Sequence, residues 1–295
     1  MYGCGHNENC CSSTESKSRI NFLSLLSQGI DAHYVINEGA LDYMARQKLP
    51  LTVLALLEDK KETTIDTPTD WEAWLDSQLI NRPHHRKIIT EGALIGGLLA
   101  RGIPVDLSVI SDDAGQFNVF DHALCWIHAE RIINRLIPLN DHQSKAVDSV
   151  REQIWSLYRD LKHYKLNPLP IQAEDIKQRF QSLCRTKTCY ATLNQALKRM
   201  GENQHELLRV LDKPYLPLHN NLSERDIREY VKKRKISGST RSESGRRCRD
   251  TFASLKKTCQ KLGISFLHYL KDRLGNEEKI PRLSDLIRAG AATCD

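Results

Sequence analysis

The stretch between Glu91 and Leu136 constrains the fold more than any other part of this sequence. Glu91–Arg101 is an apolar helical pattern with small residues, suited to lying tightly against a sheet, and a glycine stops it. Val105–Ile110 is typical of a buried strand that ends at Ser111-Asp112-Asp113, and Asp121–Leu136 is predicted to be a long helix. Helix, buried strand, acidic strand end and helix in this order indicate an α/β architecture.

Shorter elements are predicted before this stretch, in a segment whose residues 60–70 form a polar loop. The predicted elements are a helix over Ile20–Leu26, a strand over Tyr34–Ile36, a helix over Glu38–Gln47 and a helix that turns Trp71, Trp74 and Leu75 inward.

Residues 138–214 contain few strand-like runs and several amphipathic stretches, so we interpret them as an all-helical insertion. Its predicted helices are Val147–Tyr164, Ala173–Cys184 and Tyr190–Met200. A basic helix over Leu222–Ile236 is predicted to follow.

The carboxy-terminal region contains one further clear helical pattern. Its apolar stripe is formed by Cys248, Phe252, Leu255, Cys259 and Leu262, and the helix ends at Gly263. Residues 281–295 are predicted to be a loosely held tail.

Composition places the chain among ordinary globular proteins. It has 295 residues, of which 40% are hydrophobic and 27% are charged. No run of about 18 consecutive apolar residues is present, which excludes a conventional transmembrane helix. The first thirty residues lack a secretory pattern, so we expect the nine cysteines to be reduced thiols in a cytoplasmic protein.

Positive charge is concentrated in one part of the chain. Residues 219–273 hold fifteen Lys and Arg against six Asp and Glu, whereas the whole chain carries a net charge of +6. Such a block points to a polyanion partner, although a solvated helix face would give the same pattern. The candidates for phosphate contacts are Lys232, Lys233, Arg234, Lys235, Arg241, Arg246 and Arg247.

Asp112 is the first candidate for a role in chemistry, because it stands where a strand leaves the sheet. Open α/β sheets bind ligands outside the carboxyl ends of their strands, and a carboxylate there suits Mg²⁺ or Mn²⁺. Asp113 must point elsewhere, since adjacent strand residues face opposite sides. Alternatively, Asp112 and Asp113 only cap a turn that Gly115 completes.

Glu224 and the Cys125–His128 pair each allow a structural and a functional interpretation. Asn221 can cap a helix with Glu224 at its third position, or Glu224 can point from that helix into a cleft beside Asp112. Cys125 and His128 are predicted to share a helix face as a packed cysteine and a hydrogen-bonded histidine. The polar start, residues 1–17, contains Cys4, His6, Cys10 and Cys11 in a spacing that fits no usual zinc site.

Taken together, these motifs resemble transposases of the insertion sequence 66 family. The resemblance rests on Ile110–Phe117 (ISDDAGQF), His122–Arg131 (HALCWIHAER) and the long block Pro217–Cys259, and it covers roughly residues 18–289. It implies an α/β, RNase H-like core with an Asp-Asp-Glu site for Mg²⁺ or Mn²⁺, DNA as the partner (transposon ends and target), and self-association.

Residue by residue, the resemblance bears on six positions beside the basic block. Asp112 matches the second aspartate, and Glu224 matches the glutamate after the Asn220–Asn221 pair. Cys125 and His128 match a Cys-x-x-His feature near the site. The implied activity is metal-dependent DNA cleavage and strand transfer.

The first aspartate of the family pattern has no counterpart before Ser18. We therefore expect a truncated copy with an incomplete core, which alone shows no strand transfer and little DNA cleavage. A non-catalytic DNA-binding remnant and an RNase H-like nuclease are the alternatives. The expected organisation is an atypical, disordered start (1–17), part of the core (18–137), the insertion (138–214), basic core helices (215–274) and a tail (275–295).

Overall fold

The computed structural model of the chain divides it into two compact units. The described residues are 18–27, 33–221, 228, 231–232, 235–236, 238, 240, 242–276 and 278–292. Within them, the amino-terminal unit comprises residues 18–107 and 115–120, and the carboxy-terminal unit comprises residues 108–114 and 121–292. The domain limits expected from the sequence remain predictions.

The amino-terminal unit is mainly helical, with one short antiparallel strand pair in which Tyr34 stands opposite Ile65. Its elements are α1 (Arg19–Leu26), β1 (Tyr34–Val35), α2 (Glu38–Arg46), α3 (Leu51–Glu58), β2 (Thr64–Ile65), α4 (Pro68–Ser77) and α5 (Pro83–Ala100). The loop predicted over residues 60–70 is wrong in part, because it contains β2 and the start of α4. A two-residue strand is too short to show the alternation that identifies strands.

The core of this unit is organised around α5, which lies tightly against the chain that forms β1. A side chain at Gly96 or Gly97 would overlap the carbonyl oxygen of Val35 or of His33, respectively. The helix can approach the strand this closely only because both positions lack a Cβ. The predicted close packing of an apolar helix with small residues against a strand is therefore confirmed.

The carboxy-terminal unit combines one parallel strand pair with a large helical part. Its elements are β3 (Ser108–Ser111), β4 (Asp121–Leu124), α6 (Trp126–Asn134), α7 (Asp141–Leu166), α8 (Pro170–Arg185), α9 (Ala191–Glu202), α10 (Gln204–Leu207), α11 (Arg209–Asp212), α12 (Glu243–Lys261), α13 (Phe266–Leu274) and α14 (Leu283–Ala292). Ser108 pairs with Asp121, and Ser111 pairs with Leu124.

The long helix predicted over Asp121–Leu136 is wrong at its beginning. Its first four residues form β4, and the helix starts only at Trp126. Three of the four β4 residues are buried, so the strand shows no alternation of apolar and polar side chains. A short buried strand of this kind cannot be distinguished from a helical segment by periodicity.

All elements between residues 138 and 214 are helices, as predicted. They pack around α7, which turns Val150, Ile154, Leu157 and Leu161 into a common core at steps of four, three and four. Helices α6 and α8 contribute to the same core, where the rings of Trp126 and Phe180 meet edge to face at 5.9 Å.

The end of the chain is more ordered than the sequence suggested. Residues 283–292 form α14, and Leu283 is buried against Cys259 and Tyr269, so the prediction of a loosely held tail is wrong. The predicted apolar stripe on α12 is buried only at Cys259, whereas Phe252 is 47% exposed. The basic helix predicted over Leu222–Ile236 falls largely outside the described residues.

These observations give a mostly helical protein with short strands in its described part. This is compatible with an α/β fold that carries a helical part, and the RNase H-like core remains a prediction. In the described part of the chain, no helix has the combination of length and apolar composition that crossing a bilayer requires.

Candidate functional site

Asp112 lies where the sequence predicted it, directly after a buried strand. β3 ends at Ser111, all four residues of the strand are buried, and Asp112 is exposed. On the neighbouring strand, His122 Nε2 lies 2.8 Å from Ser111 Oγ, which fixes the last side chain of β3. Among the described residues, none forms a hydrogen bond or an ion pair with the carboxylate of Asp112.

Asp113 points toward the helical part of the same unit. Its backbone is in the left-handed region, with φ at 69°. Its carboxylate accepts hydrogen bonds from Arg199 Nη2 at 2.6 Å and from Asn203 Nδ2 at 3.3 Å. Asp112 and Asp113 therefore have different surroundings, and the interpretation of both as caps of one local turn does not describe Asp113.

A small pocket of about 40 Å³ lies beside this pair. Its polar lining is Asp112, Asp113, Arg199 and Asn203, and its remaining walls are mostly apolar side chains of α6 and α9. Sequence reasoning missed Arg199 and Asn203. They lie 86 and 90 positions from Asp113 and belong to no motif, so only the folded helices bring them to the strand end.

The sequence predicted that Cys125 and His128 share a helix face. This prediction is wrong, because Cys125 lies between β4 and the first helical residue of α6. Cys125 is the N-cap of α6, and its buried backbone N–H donates to the carbonyl of Ser111 at 2.9 Å. His128 lies in the first turn, where its Nε2 is 3.1 Å from Arg131 Nη1. Cys125 thus binds the last residue of β3, whereas the bond between His128 and Arg131 lies within α6.

The segment that leads to Asn220 and Asn221 is bonded to the same strand pair. The backbone N–H of Trp126 donates to the carbonyl of Leu218 at 3.0 Å, and Lys213 Nζ lies 2.9 Å from Asp121 Oδ2. This hydrogen bond to Asp121 is the main cause that raises the pKa of Lys213. Residues 213–218 are thereby held along β4 on their way to the Asn-Asn pair.

Two buried polar atoms follow this anchored segment. His219 Nδ1 and Asn220 Oδ1 are shielded from solvent, and neither has a hydrogen-bond partner among the described residues. Each unpaired buried polar atom lowers the stability of the fold by about 1–3 kcal/mol. Such atoms are typical of sites that hold a ligand or store strain. Asn221 is itself helical, although the predicted capping box needs it to precede the helix.

The other predicted ligand, Glu224, lies outside the described residues, so its distance from Asp112 remains a prediction. Within the described part of the chain, no group of three or more His, Cys, Asp or Glu side chains could hold a metal ion. The cysteine-rich start, residues 1–17, is also outside the described part.

The predicted phosphate contacts are described in part. Lys232, Lys235 and Arg247 are exposed, and Arg246 is half-buried in the first turn of α12. Lys233, Arg234 and Arg241 lie outside the described residues. The exposed members are accessible to a polyanion, as a role in binding phosphate requires.

Comparisons with known proteins bear on this region directly. A family model described as "Transposase IS66 family" matches residues 111–247, a segment that includes both Asp112 and Glu224. The chain is also 40% identical over 281 residues to the uncharacterized protein y4jO of Sinorhizobium fredii (strain NBRC 101917 / NGR234), which covers 94% of this chain and 87% of that protein. No solved structure matches the chain.

Proposed function

This chain belongs to the IS66 transposase family, and we propose that it acts on DNA in transposition, through a divalent-metal site that includes Asp112 and Glu224. The proposed reaction is phosphodiester cleavage followed by strand transfer. The observation that carries the proposal is the exposed carboxylate of Asp112, which has no described partner and stands at the carboxyl end of a buried strand.

The surroundings of Asp112 fit a hard cation. Carboxylate oxygens are preferred ligands of Mg²⁺ and Mn²⁺, and Asp112 is not neutralised by a neighbouring described cation. The adjacent Asp113 is already occupied by Arg199, so it does not compete for the same role. A bound divalent cation would supply Lewis-acid activation of the phosphodiester.

The chain contributes position and charge around that site. The backbone N–H of Cys125 donates to Ser111 at the end of β3, and the N–H of the next residue, Trp126, donates to Leu218. These two hydrogen bonds support the proposal that the segment with Asn220 and Asn221 lies beside the end of β3. Glu224 follows six positions after Leu218, and we expect its carboxyl group to approach Asp112 within about 8 Å, a distance that one or two metal ions can bridge.

The basic block supplies contacts to the DNA backbone in this proposal. If about five of its seven candidate Lys and Arg residues touch phosphates, the logarithm of the binding constant should fall against the logarithm of salt with a slope near −4 to −5. Binding that does not depend on salt would contradict this role of the block.

A comparison of three charge-neutralising variants tests the metal site. Asp112→Asn and Glu224→Gln remove the proposed ligands, and Glu152→Gln removes an exposed carboxylate of α7 as a matched control. Mn²⁺ binding to the purified chain, followed by electron paramagnetic resonance, should be lost in the first two variants and retained in the third. Any Mn²⁺-dependent nicking of plasmid DNA should be lost in the same two variants. Equal Mn²⁺ binding by all three variants, or none by the unaltered chain, would overturn the site.

A further inference from the structure

Helices α8 and α9 form a second basic region, separate from residues 219–273. The sequence from Ile176 to Gly201 contains no Asp or Glu. Over the same residues it contains six cationic side chains, namely Lys177, Arg179, Arg185, Lys187, Lys198 and Arg199. A run with one sign of charge creates a local positive potential even in a chain of modest net charge.

An open groove of about 790 Å³ runs between the end of α8 and the length of α9. We call it the α8–α9 groove. Its lining includes the cations Arg185, Lys187 and Lys198 and a single acid, Glu202. The other polar side chains of the lining are Gln181, Thr186, Asn194, Gln195 and Gln204. Arginine, lysine, hydroxyl and amide side chains are the groups that contact DNA phosphates.

The cations of the groove are exposed, and none of them is held by a buried acid in the described part of the chain. Arg185 and Lys187 are exposed, and neither forms an ion pair with a described residue. Lys198 lies 3.8 Å from Glu202, with both side chains largely exposed, so this pair contributes little. Arg179, by contrast, is held by Asp160 at 2.8 Å.

The loop at the end of the groove is fixed by its own hydrogen bonds. Asn194 Oδ1 accepts from the backbone N–H of Thr188 at 2.8 Å, and Asn194 Nδ2 donates to the carbonyl of Thr188 at 2.9 Å. Thr186 Oγ1 also donates to the carbonyl of Ser182 at the end of α8. Arg185 and Lys187 therefore project from an ordered turn, which lowers the entropy lost when they bind a partner.

The groove and the pocket beside Asp112 share one element, α9, whose different faces line them. Lys198 lines the groove, and the next residue, Arg199, binds Asp113 and lines the pocket that contains Asp112. Two adjacent faces of one helix thus carry the groove and the wall of the candidate site.

We propose that the α8–α9 groove binds the DNA backbone, as a second contact surface besides the block at residues 232–247. The proposal rests on the proposed function for the choice of DNA as the polyanion. Arg185, Lys187 and Lys198 are the residues that contact phosphate. Because contacts of these cations with phosphate carry no sequence information, the groove should bind DNA with little sequence preference.

The test compares two triple variants of the full chain with the same change in net charge. The groove variant is Arg185→Gln/Lys187→Gln/Lys198→Gln, and the control variant is Lys145→Gln/Arg159→Gln/Lys162→Gln on α7. All six side chains are exposed, so circular dichroism should show that both variants fold like the unaltered chain. Binding of a fluorescent DNA duplex is measured by anisotropy between about 50 and 200 mM salt.

In the groove variant, we expect the slope of log K against log salt to become shallower by about 2 to 3. Its affinity at the low-salt end should fall at least about tenfold. The control variant should change the slope by less than about 1. Equal losses in both variants would show that only net charge matters and would overturn the groove. Tighter binding of an RNA duplex of the same sequence would overturn DNA as the partner.

A second measurement separates this proposal from the metal site. Mn²⁺ binding should be unchanged in the groove variant, because its three residues are not proposed ligands. If Mn²⁺ binding is absent from the unaltered chain while the groove variant still loses DNA affinity, the metal site fails and the groove stands. If Mn²⁺ binding is normal and the salt slope does not change, the groove fails and the metal site stands.

Discussion

The left-handed backbone at Asp113 leads to a prediction that separates backbone strain from the loss of an ion pair. At φ 69°, a residue with an ordinary Cβ pays about 1–2 kcal/mol, whereas glycine adopts this conformation freely and asparagine tolerates it. The ion pair with Arg199 is partly exposed, with 62% exposure of the arginine side chain, so it should contribute only about 0.5–1 kcal/mol.

Three substitutions at this position should therefore differ in the free energy of unfolding. Asp113→Gly and Asp113→Asn lose the ion pair but keep a compatible backbone, so each should cost about 1 kcal/mol or less. Asp113→Ala loses the ion pair and adds the left-handed strain, and it should cost about 2 kcal/mol in all. Urea unfolding followed by tryptophan fluorescence measures these differences, with an unchanged m-value as the check on the comparison.

The companion variant Arg199→Gln controls for the ion pair alone. It should cost about 0.5–1 kcal/mol in the unaltered chain and almost nothing in the Asp113→Asn background. The reasoning about strain is refuted if Asp113→Ala and Asp113→Gly are equally stable. The reasoning about the pair is refuted if Arg199→Gln costs the same in both backgrounds.

Two further predictions concern the helical part of the same unit. Trp126→Phe should lower the free energy of unfolding by about 1–3 kcal/mol, because it removes the indole N–H that donates to the buried carbonyl of Leu207 at 2.7 Å. The same urea experiment measures this change, with Trp155→Phe as the control. Burial raises the pKa of the Cys184 thiol to about 12, so at pH 8 it should react with iodoacetamide far more slowly than the exposed Cys189 in a mass-spectrometric time course.

The sequence located the candidate ligand on β3 because that strand is short, apolar and followed at once by polar residues. These features determine both the buried strand and the exposed carboxylate, and Asp112 was found one position after the strand ends. The same reasoning failed on β4, whose residues are nearly all buried and therefore lack an alternating pattern. The error moved Cys125 from the N-cap of α6 into the interior of a helix that does not exist there.

Other features depend on contacts between distant segments, and no local pattern could have shown them. The stripe on α12 was predicted from its spacing alone, but only Cys259 is fully buried, whereas Leu255 and Leu262 pack at the edge of the same cluster and Phe252 is largely exposed. Leu283 was assigned to a tail because a ten-residue helix after a proline-containing loop gives a weak signal by itself. Its burial requires α13, which the sequence does not place beside it.

The carboxylate of Asp113 is bound by Arg199 and Asn203, which explains how two adjacent aspartates can have different functions. If both carboxylates faced one cation site, their mutual repulsion would oppose ionisation of the pair. In the structure, Arg199 and Asn203 bind the carboxylate of Asp113, whose backbone is in the left-handed region, whereas no described residue binds that of Asp112. The helical insertion thereby takes part in arranging the acidic strand end. The same helix carries Lys198 into the α8–α9 groove, so a single element contributes to both the proposed metal site and the proposed DNA contact.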